Sequence, residues 1–323
     1  MEYRVLGATG VKVSALCFGT MSFGGDADKA ASRAMFDRCR DAGINFFDTA
    51  DVYNQGVSEE WLGEFMHGCR DQIVLATKVW GRTGTDVNDA GLSRRHIKQA
   101  VEASLRRLKT DWVDIYYVHN WDPETPMEET LRALDDLQRQ GKILYPAVSN
   151  WAAWQIAKAL GIADMTNQAR FACIQPMYNL VKRQAEVEIL PLAAAEKLGV
   201  VTYSPLGGGL LTGKYGSNQK PEQGRLVENP MYVKRYGQAA YYEIAEKFAA
   251  YARENGVHPV SLAVAWVMSH PNVTAPIIGA RNVEQLEPSL AAAEIKMTPE
   301  WRAEISKLSP APPPATDRSE DQL

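Results

Sequence analysis

Eight short runs of β-forming, largely apolar residues recur along the chain, each separated from the next by a stretch of different period. They are ALCFGT (15–20), NFFDTA (45–50), IVLATKV (73–79), VDIYYVH (113–119), ILYPAVSN (143–150), FACIQPMY (171–178), VVTYSPL (200–206) and VTAPIIGA (273–280). Near-continuous hydrophobicity, rather than strict alternation, is what strands covered on both faces require. Between the runs lie helical stripes: Ile97, Val101, Leu105 and Leu108; Met127, Leu131, Leu134 and Leu137; Val187, Leu190, Ala194 and Leu198; Ile244, Phe248 and Tyr251. DAGINFF, RQGKILY and KLGVVTY place a glycine where a helix C-cap precedes the next strand.

This order reads as repeated βα units, which build either a doubly wound sheet or a closed (β/α)8 barrel. The count of eight favours the barrel, and no run is followed by the G-x-G-x-x-G turn that a Rossmann unit normally needs. One barrel domain is expected over residues 1–309. Within it, YRVLGATGVKVS predicts a hairpin around Gly7 to Gly10 that plugs the barrel bottom, and 207–238 is a candidate lid, longer than an ordinary connection. Residues 310–323, PAPPPATDRSEDQL, read as a disordered tail. Pro146 removes a ladder donor from the fifth run and predicts a bulge or an irregular strand there.

With 323 residues and 46% hydrophobic content the chain can bury a large core. Its net charge of -4 includes no basic block, so small molecules are expected as partners rather than nucleic acid or membrane. Cys17, Cys39, Cys69 and Cys173 are widely separated and lack metal-ligand spacing, so no metal site is expected and a reduced, cytoplasmic chain fits. The N-terminus has no signal-peptide pattern, and no apolar run is long enough for a membrane span. A monomer and a homo-oligomer both remain open.

LGGGLLTGKY (206–215) has the Gly208-x4-Gly213-Lys214 spacing of a P-loop. A P-loop needs Ser or Thr after the lysine and a helix starting there; here Tyr215 follows, and then GSNQKPEQG, a poor helix start. The stretch instead leaves the C-terminal end of the seventh run, where barrels commonly bind phosphate. Successive glycines let backbone N–H groups approach an anion, and Lys214 and Arg281, at the end of the eighth run, add charge. A glycine turn without a ligand is the alternative.

Asp48, Lys78 and His119 fall at or near the ends of the second, third and fourth runs, and Tyr53 lies in the loop after Asp48. The four therefore converge on the rim where barrel enzymes place catalysis. A phenol with a pKa of about 10 is too weak an acid for ready use near neutrality. An ammonium at Lys78, held by Asp48, is expected to lower it, while His119 bonds the substrate oxygen or relays its proton. Trp80, Trp121 and Trp151 each follow a run and either wall an aromatic pocket or pack against the rim.

FFDTADVYNQGVSEEWLGE, LATKV, HNWDPETPMEETLRALDDLQRQGK, AVSNW, YSPLGGGLLTGKY and IIGARNVEQL together resemble the aldo-keto reductases, in order, from about residue 3 to 293. The resemblance implies NADPH-dependent reduction of aldehydes or ketones, with Tyr53 as proton donor assisted by Lys78, Asp48 and His119. It implies that Ser149, Asn150 and Gln175 hold the nicotinamide carboxamide, that Tyr203 stacks on the ring, and that Thr20 and Met21 lie beside its ribose. Ser204, Leu206, Gly207, Gly208 and Lys214 would line the pyrophosphate, with Arg225 reaching over it. Gly279, Arg281 and Gln285 match the adenosine-phosphate end, where Arg281 suits a 2′-phosphate and so favours NADPH over NADH.

The chain departs from many relatives at Pro288-Ser289, where they carry Glu-Asn. It is similar to bacterial reductases of broad range, some acting on bulky ketones such as 3-keto trichothecenes. Two alternatives accompany this reading: the reverse reaction, as a sugar or alcohol dehydrogenase, and a cofactor-sensing role like that of potassium-channel β subunits. Those subunits carry Asn where this chain has His119.

Overall fold

In a computed structural model, which describes residues 1–316, 318 and 320, all eight runs become strands of one closed parallel barrel. A two-stranded antiparallel hairpin, β1 (Tyr3–Val5) and β2 (Lys12–Ser14), precedes it. The barrel strands are β3 (Cys17–Gly19), β4 (Phe46–Asp48), β5 (Val74–Val79), β6 (Val113–Val118), β7 (Ile143–Ser149), β8 (Cys173–Gln175), β9 (Gly199–Thr202) and β10 (Ala275–Ile278). They neighbour one another in chain order, and β10 pairs with β3 to close the ring.

Helices fill the gaps: α1 (Lys29–Asp41), α2 (Val57–Phe65), α3 (Arg94–Leu108), α4 (Met127–Arg139), α5 (Ala153–Thr166) and α6 (Ile189–Ala195). After β9 come α7 (Arg225–Glu228), α8 (Pro230–Tyr236), α9 (Ala239–Glu254) and α10 (Pro259–Met268); α11 (Val283–Leu290) and α12 (Pro299–Ser306) follow β10. The stripes predicted on α3 and α4 are the buried faces. Ser93 caps α3 by accepting from the His96 N–H, and Asp28 caps α1 through the Ala31 N–H. The stripe from Val187 to Leu198 is corrected: α6 is only seven residues long and buries Leu190 and Ala193, while Ala194 faces solvent. Helix α10 is apolar except for Ser261 and buried from Val260 to Met268, so its pattern has no stripe to detect.

The barrel interior is a second core, separate from the layer between strands and helices. Cys17, Phe46, Val74, Ala76, Ile115, Tyr117, Ala147, Cys173, Val201 and Ala275 point inward, and Leu6 and Val13 of the hairpin join them. The hairpin thus closes the N-terminal end, as expected. A Cβ on Gly7, whose φ is +53°, would lie 2.5 Å from the Gly199 nitrogen and 2.9 Å from the Ala172 carbonyl, so only glycine allows this close approach.

The bulge expected at Pro146 is absent. β7 keeps an unbroken register with β6, Tyr116 opposite Pro146 and Val118 opposite Val148. The Pro146 carbonyl faces β8, accepting from the Ala172 N–H at 2.9 Å, and pairing with β8 begins only at Ala147 opposite Cys173. The missing donor therefore points below the start of β8, where the ladder has no acceptor to lose. Segment 207–238 carries α7 and α8, and no helix starts in the stretch after Lys214 until Arg225. The tail expected to be disordered runs partly outside the described residues; 310–316 form neither helix nor strand. Among the described residues, no helix is long and apolar enough to cross a membrane.

Candidate active site

Alternation along each strand builds the site. The next inward position above Phe46 is Asp48, above Ala76 is Lys78, above Tyr117 is His119, above Ala147 is Ser149, above Cys173 is Gln175 and above Val201 is Tyr203. Six polar side chains thus cap one end of an apolar interior, at the C-terminal end of the strands. On β3 the corresponding position is Gly19, where a Cβ would lie 2.6 Å from the side chain of Ile277, the next inward residue above Ala275 on β10; Gly279 follows it.

Lys78 is fully buried and its ammonium is triply held: by Asp48 Oδ1 in an ion pair, by the Thr49 carbonyl at 2.7 Å and by the Tyr53 hydroxyl at 3.4 Å. The second oxygen of Asp48 accepts from Gln175 Nε2 at 2.9 Å. From there a chain of bonds crosses the rim. Ser149 Oγ donates to the Gln175 carbonyl (2.9 Å), Asn150 Nδ2 donates to Ser149 Oγ (3.0 Å) and to the His119 carbonyl (2.9 Å), and the Tyr203 hydroxyl donates to Asn150 Oδ1 (2.6 Å). The rings of Tyr53 and His119 meet edge to face, 6.0 Å between centroids.

Burial penalises the Lys78 ammonium, but the adjacent Asp48 and Tyr53 outweigh it and hold the lysine above its ordinary pKa. His119 is pushed down to about 3 by burial and by the Lys78 charge, so its imidazole is neutral. A neutral ring can bond a substrate oxygen, whereas the proton relay through an imidazolium expected as an option is disfavoured. Tyr53 departs from expectation more directly. Burial raises its pKa, and the Lys78 charge offsets that without reversing it.

Tyr53 stands on a tight turn in which Asn54 (φ 48°), Gln55 (φ 58°) and Gly56 (φ 93°) are all left-handed. Asn54 keeps the turn in place by donating to the Met21 carbonyl at 2.9 Å and the Phe23 carbonyl at 2.7 Å. Thr20 is fully buried, its hydroxyl 2.8 Å from Ser58 Oγ, so it fixes the strand end, while Met21 is exposed on the rim. Trp121 and Trp151 pack edge to face at 4.8 Å; Trp151 is buried against Phe171, and exposed Trp154 continues the row beside Trp121. Trp80 holds a strained φ of +155° directly after β5.

The glycine turn after β9 and its basic residues also lie together. Ser204 (φ 58°), Gly207, Gly208 and Gly209 run through left-handed conformations just beyond β9, with Leu206 half-buried between them. A Cβ on Gly208 would lie 2.6 Å from the Tyr232 ring. Lys214 is pushed below its usual pKa by lost hydration and by the positive charges of Arg281 and Arg225. Arg225 and Arg281 both pair with Asp26, at 3.5 and 3.3 Å. Gln285 bonds the Arg281 N–H through its Oε1 at 3.4 Å. Ser289 is buried in α11, and the Pro288 carbonyl accepts from Ser261 Oγ, which turns this pair toward α10. Three cations converging beside a run of left-handed glycines form a donor set that fits the phosphates of a dinucleotide.

Sequence reasoning missed Asp26, the Asn54 tether and the Gln175–Asp48 bond. Asp26 sits in a Gly-rich loop, SFGGDADK, with no local pattern to mark a charge that pairs with Arg225 and Arg281, far along the chain.

A parallel eight-stranded barrel with this polar rim and a cationic glycine turn defines a (β/α)8 protein with its site at the C-terminal end of the strands. The model of the aldo/keto reductase family matches residues 15–310, and the chain belongs to that family. Among its relatives is an uncharacterized oxidoreductase, YrpG, of Bacillus subtilis, 39% identical over 97% of each chain. A probable voltage-gated potassium channel subunit beta of Arabidopsis thaliana is 39% identical over 91% of this chain and 92% of its own. Norsolorinic acid reductase B of Dothistroma septosporum is 33% identical over 97% of this chain and 82% of its own.

Proposed function

We propose that the protein reduces aldehydes or ketones to alcohols with NADPH, and that Tyr53 donates the proton. The observation that carries this reading is the Lys78 ammonium, held by Asp48 and within 3.4 Å of the Tyr53 hydroxyl, next to a neutral His119. When bound, a nicotinamide would supply the hydride for the carbonyl carbon. Tyr53 gives its hydroxyl proton to the carbonyl oxygen, and burial keeps that proton in place at neutral pH until it is needed. Lys78 then stabilises the phenolate left behind, Asp48 holds Lys78 charged and aimed, and His119 hydrogen-bonds the substrate oxygen as a neutral ring.

Ser149, Asn150 and Gln175 would hold the nicotinamide carboxamide, with Tyr203 against the ring and Thr20 and Met21 beside the ribose. Both polar atoms of the Asn150 amide are already bonded, to Tyr203 and His119, so its engagement exchanges an internal bond for one to the carboxamide. Ser204, Leu206, Gly207, Gly208, Lys214 and Arg225 would line the pyrophosphate, and Gly279, Arg281 and Gln285 the adenosine end, with Arg281 selecting the 2′-phosphate. Trp121 and the exposed Trp154, backed by the buried Trp151, would offer aromatic surface to bulky or aromatic carbonyl compounds. All four cysteines are free, which suits a cytoplasmic setting.

The test is a fluorescence titration with NADPH and NADH, followed by a carbonyl panel read as loss of reduced-nicotinamide absorbance. Tight NADPH binding with turnover supports the reading; failure to bind either nucleotide overturns it. Net alcohol oxidation under the same conditions would instead support the dehydrogenase direction. The relatives named as channel β subunits favour a second reading, a nucleotide-binding regulatory subunit. Tight NADPH binding without turnover, together with retention of a channel complex in a pull-down, would support it.

A further inference from the structure

We propose that Asp26 is an internal counter-anion, a carboxylate paired with both Arg225 and Arg281 that a bound dinucleotide's phosphates must displace from them. Dinucleotide binding then exchanges one anion for another, and Asp26 sets the affinity and the phosphate selectivity of the site. The inference rests on the reading of Arg225 and Arg281 as phosphate ligands and adds the residue against which the phosphate competes.

Asp26 Oδ2 is shared between two guanidiniums that come from different parts of the fold, Arg225 from the segment after β9 and Arg281 from the end of β10. Its loop is fixed opposite them: Ser22 Oγ donates to the Ala280 carbonyl at 2.7 Å, and Asn54 grips the Met21 and Phe23 carbonyls. The carboxylate is therefore delivered to the arginines by its backbone. The crowding of Lys214, Arg225 and Arg281 is what makes an anion favourable there; burial first, and then the charges of Arg281 and Arg225, lower the Lys214 pKa.

The pairing is built to be displaced rather than to lock. Both contacts are longer than a good charge-assisted hydrogen bond, the same Asp26 oxygen is the nearest to each guanidinium, and the three side chains are about one-third to two-fifths exposed. Such pairs contribute little individually. A phosphate offers more oxygens and up to twice the charge, and so wins the exchange. A ligand without a 2′-phosphate leaves the Arg281–Asp26 pair intact and gains less from removal of the carboxylate.

The experiment is calorimetric titration of the full chain and of Asp26→Asn with 2′,5′-ADP, 5′-AMP and NADPH at low and moderate salt. Asp26→Asn should bind 2′,5′-ADP roughly three- to tenfold tighter, as expected for removing two partly exposed competing pairs, with a smaller gain for 5′-AMP. The gain should shrink in Arg281→Ala and at higher salt. Unchanged or weaker 2′,5′-ADP binding in Asp26→Asn, with measurable binding in the parent, overturns the proposal alone, because a carboxylate that clasps the bound ligand predicts a loss. No binding of NADPH or 2′,5′-ADP by the parent overturns the cofactor reading and this proposal together.

Discussion

Gln175 Nε2 lies 2.9 Å from Asp48 Oδ2, and this bond leaves the other Asp48 oxygen free to face Lys78. The carboxylate that orients the lysine is thus itself oriented from the opposite side of the barrel, by a residue on β8. Gln175→Met keeps the volume but removes the donor, leaving a buried carboxylate oxygen short of a partner. We expect a loss of about 1–3 kcal/mol of stability, the usual penalty for an unsatisfied buried acceptor. Urea denaturation checks this, and a midpoint unchanged from the parent would mean that Asp48 does not depend on Gln175.

His119 is buried and neutral, with its pKa at about 3, against an ordinary value near 6.5. The unfolded chain therefore binds a proton that the folded one refuses between those values. Stability from this group is fully present above the unfolded pKa and declines as pH falls from about 6.5 toward 3. Thermal melts of His119→Asn and the parent should accordingly converge or cross as pH drops from about 7 to 4. A constant difference across that range would show that His119 titrates normally.

Asp51 presents the opposite sign. It is 2% exposed, its carboxylate pairs with no side chain, and burial, followed by the nearby Glu59, pushes its pKa up to about 8. The folded protein holds a proton that the unfolded chain releases near 4, so this group lowers stability increasingly as pH rises from about 4 to 8. Asp51→Asn cannot ionise. Its melting temperature relative to the parent should climb over that interval; a flat or falling difference would contradict the assignment of a protonated Asp51.

The strands were legible because burial on both faces leaves an apolar run, and all eight runs became barrel strands. Asp48, Lys78 and His119 were legible for a related reason: each is the first polar inward residue beyond an apolar one. Tyr53 could be placed on the same rim, but its raised pKa could not, because the opposing burial depends on walls from distant loops. Pro146 misled because a missing N–H matters only if a neighbouring strand offers an acceptor at that level, which is a property of register. Asp26 and Gln175 were illegible as partners for the same reason. Their meaning lies in contacts to Arg225, Arg281 and Asp48, which no local spacing encodes.

The central claim is that Tyr53 supplies the proton, and Tyr53→Phe removes that hydroxyl while keeping the ring. The direct measurement is its rate of NADPH oxidation with a carbonyl substrate turned over by the parent, alongside its NADPH affinity by fluorescence titration. The account predicts unchanged NADPH binding with turnover lower by a factor on the order of 10² or more, as expected for loss of a general acid. Turnover equal to the parent's would contradict it.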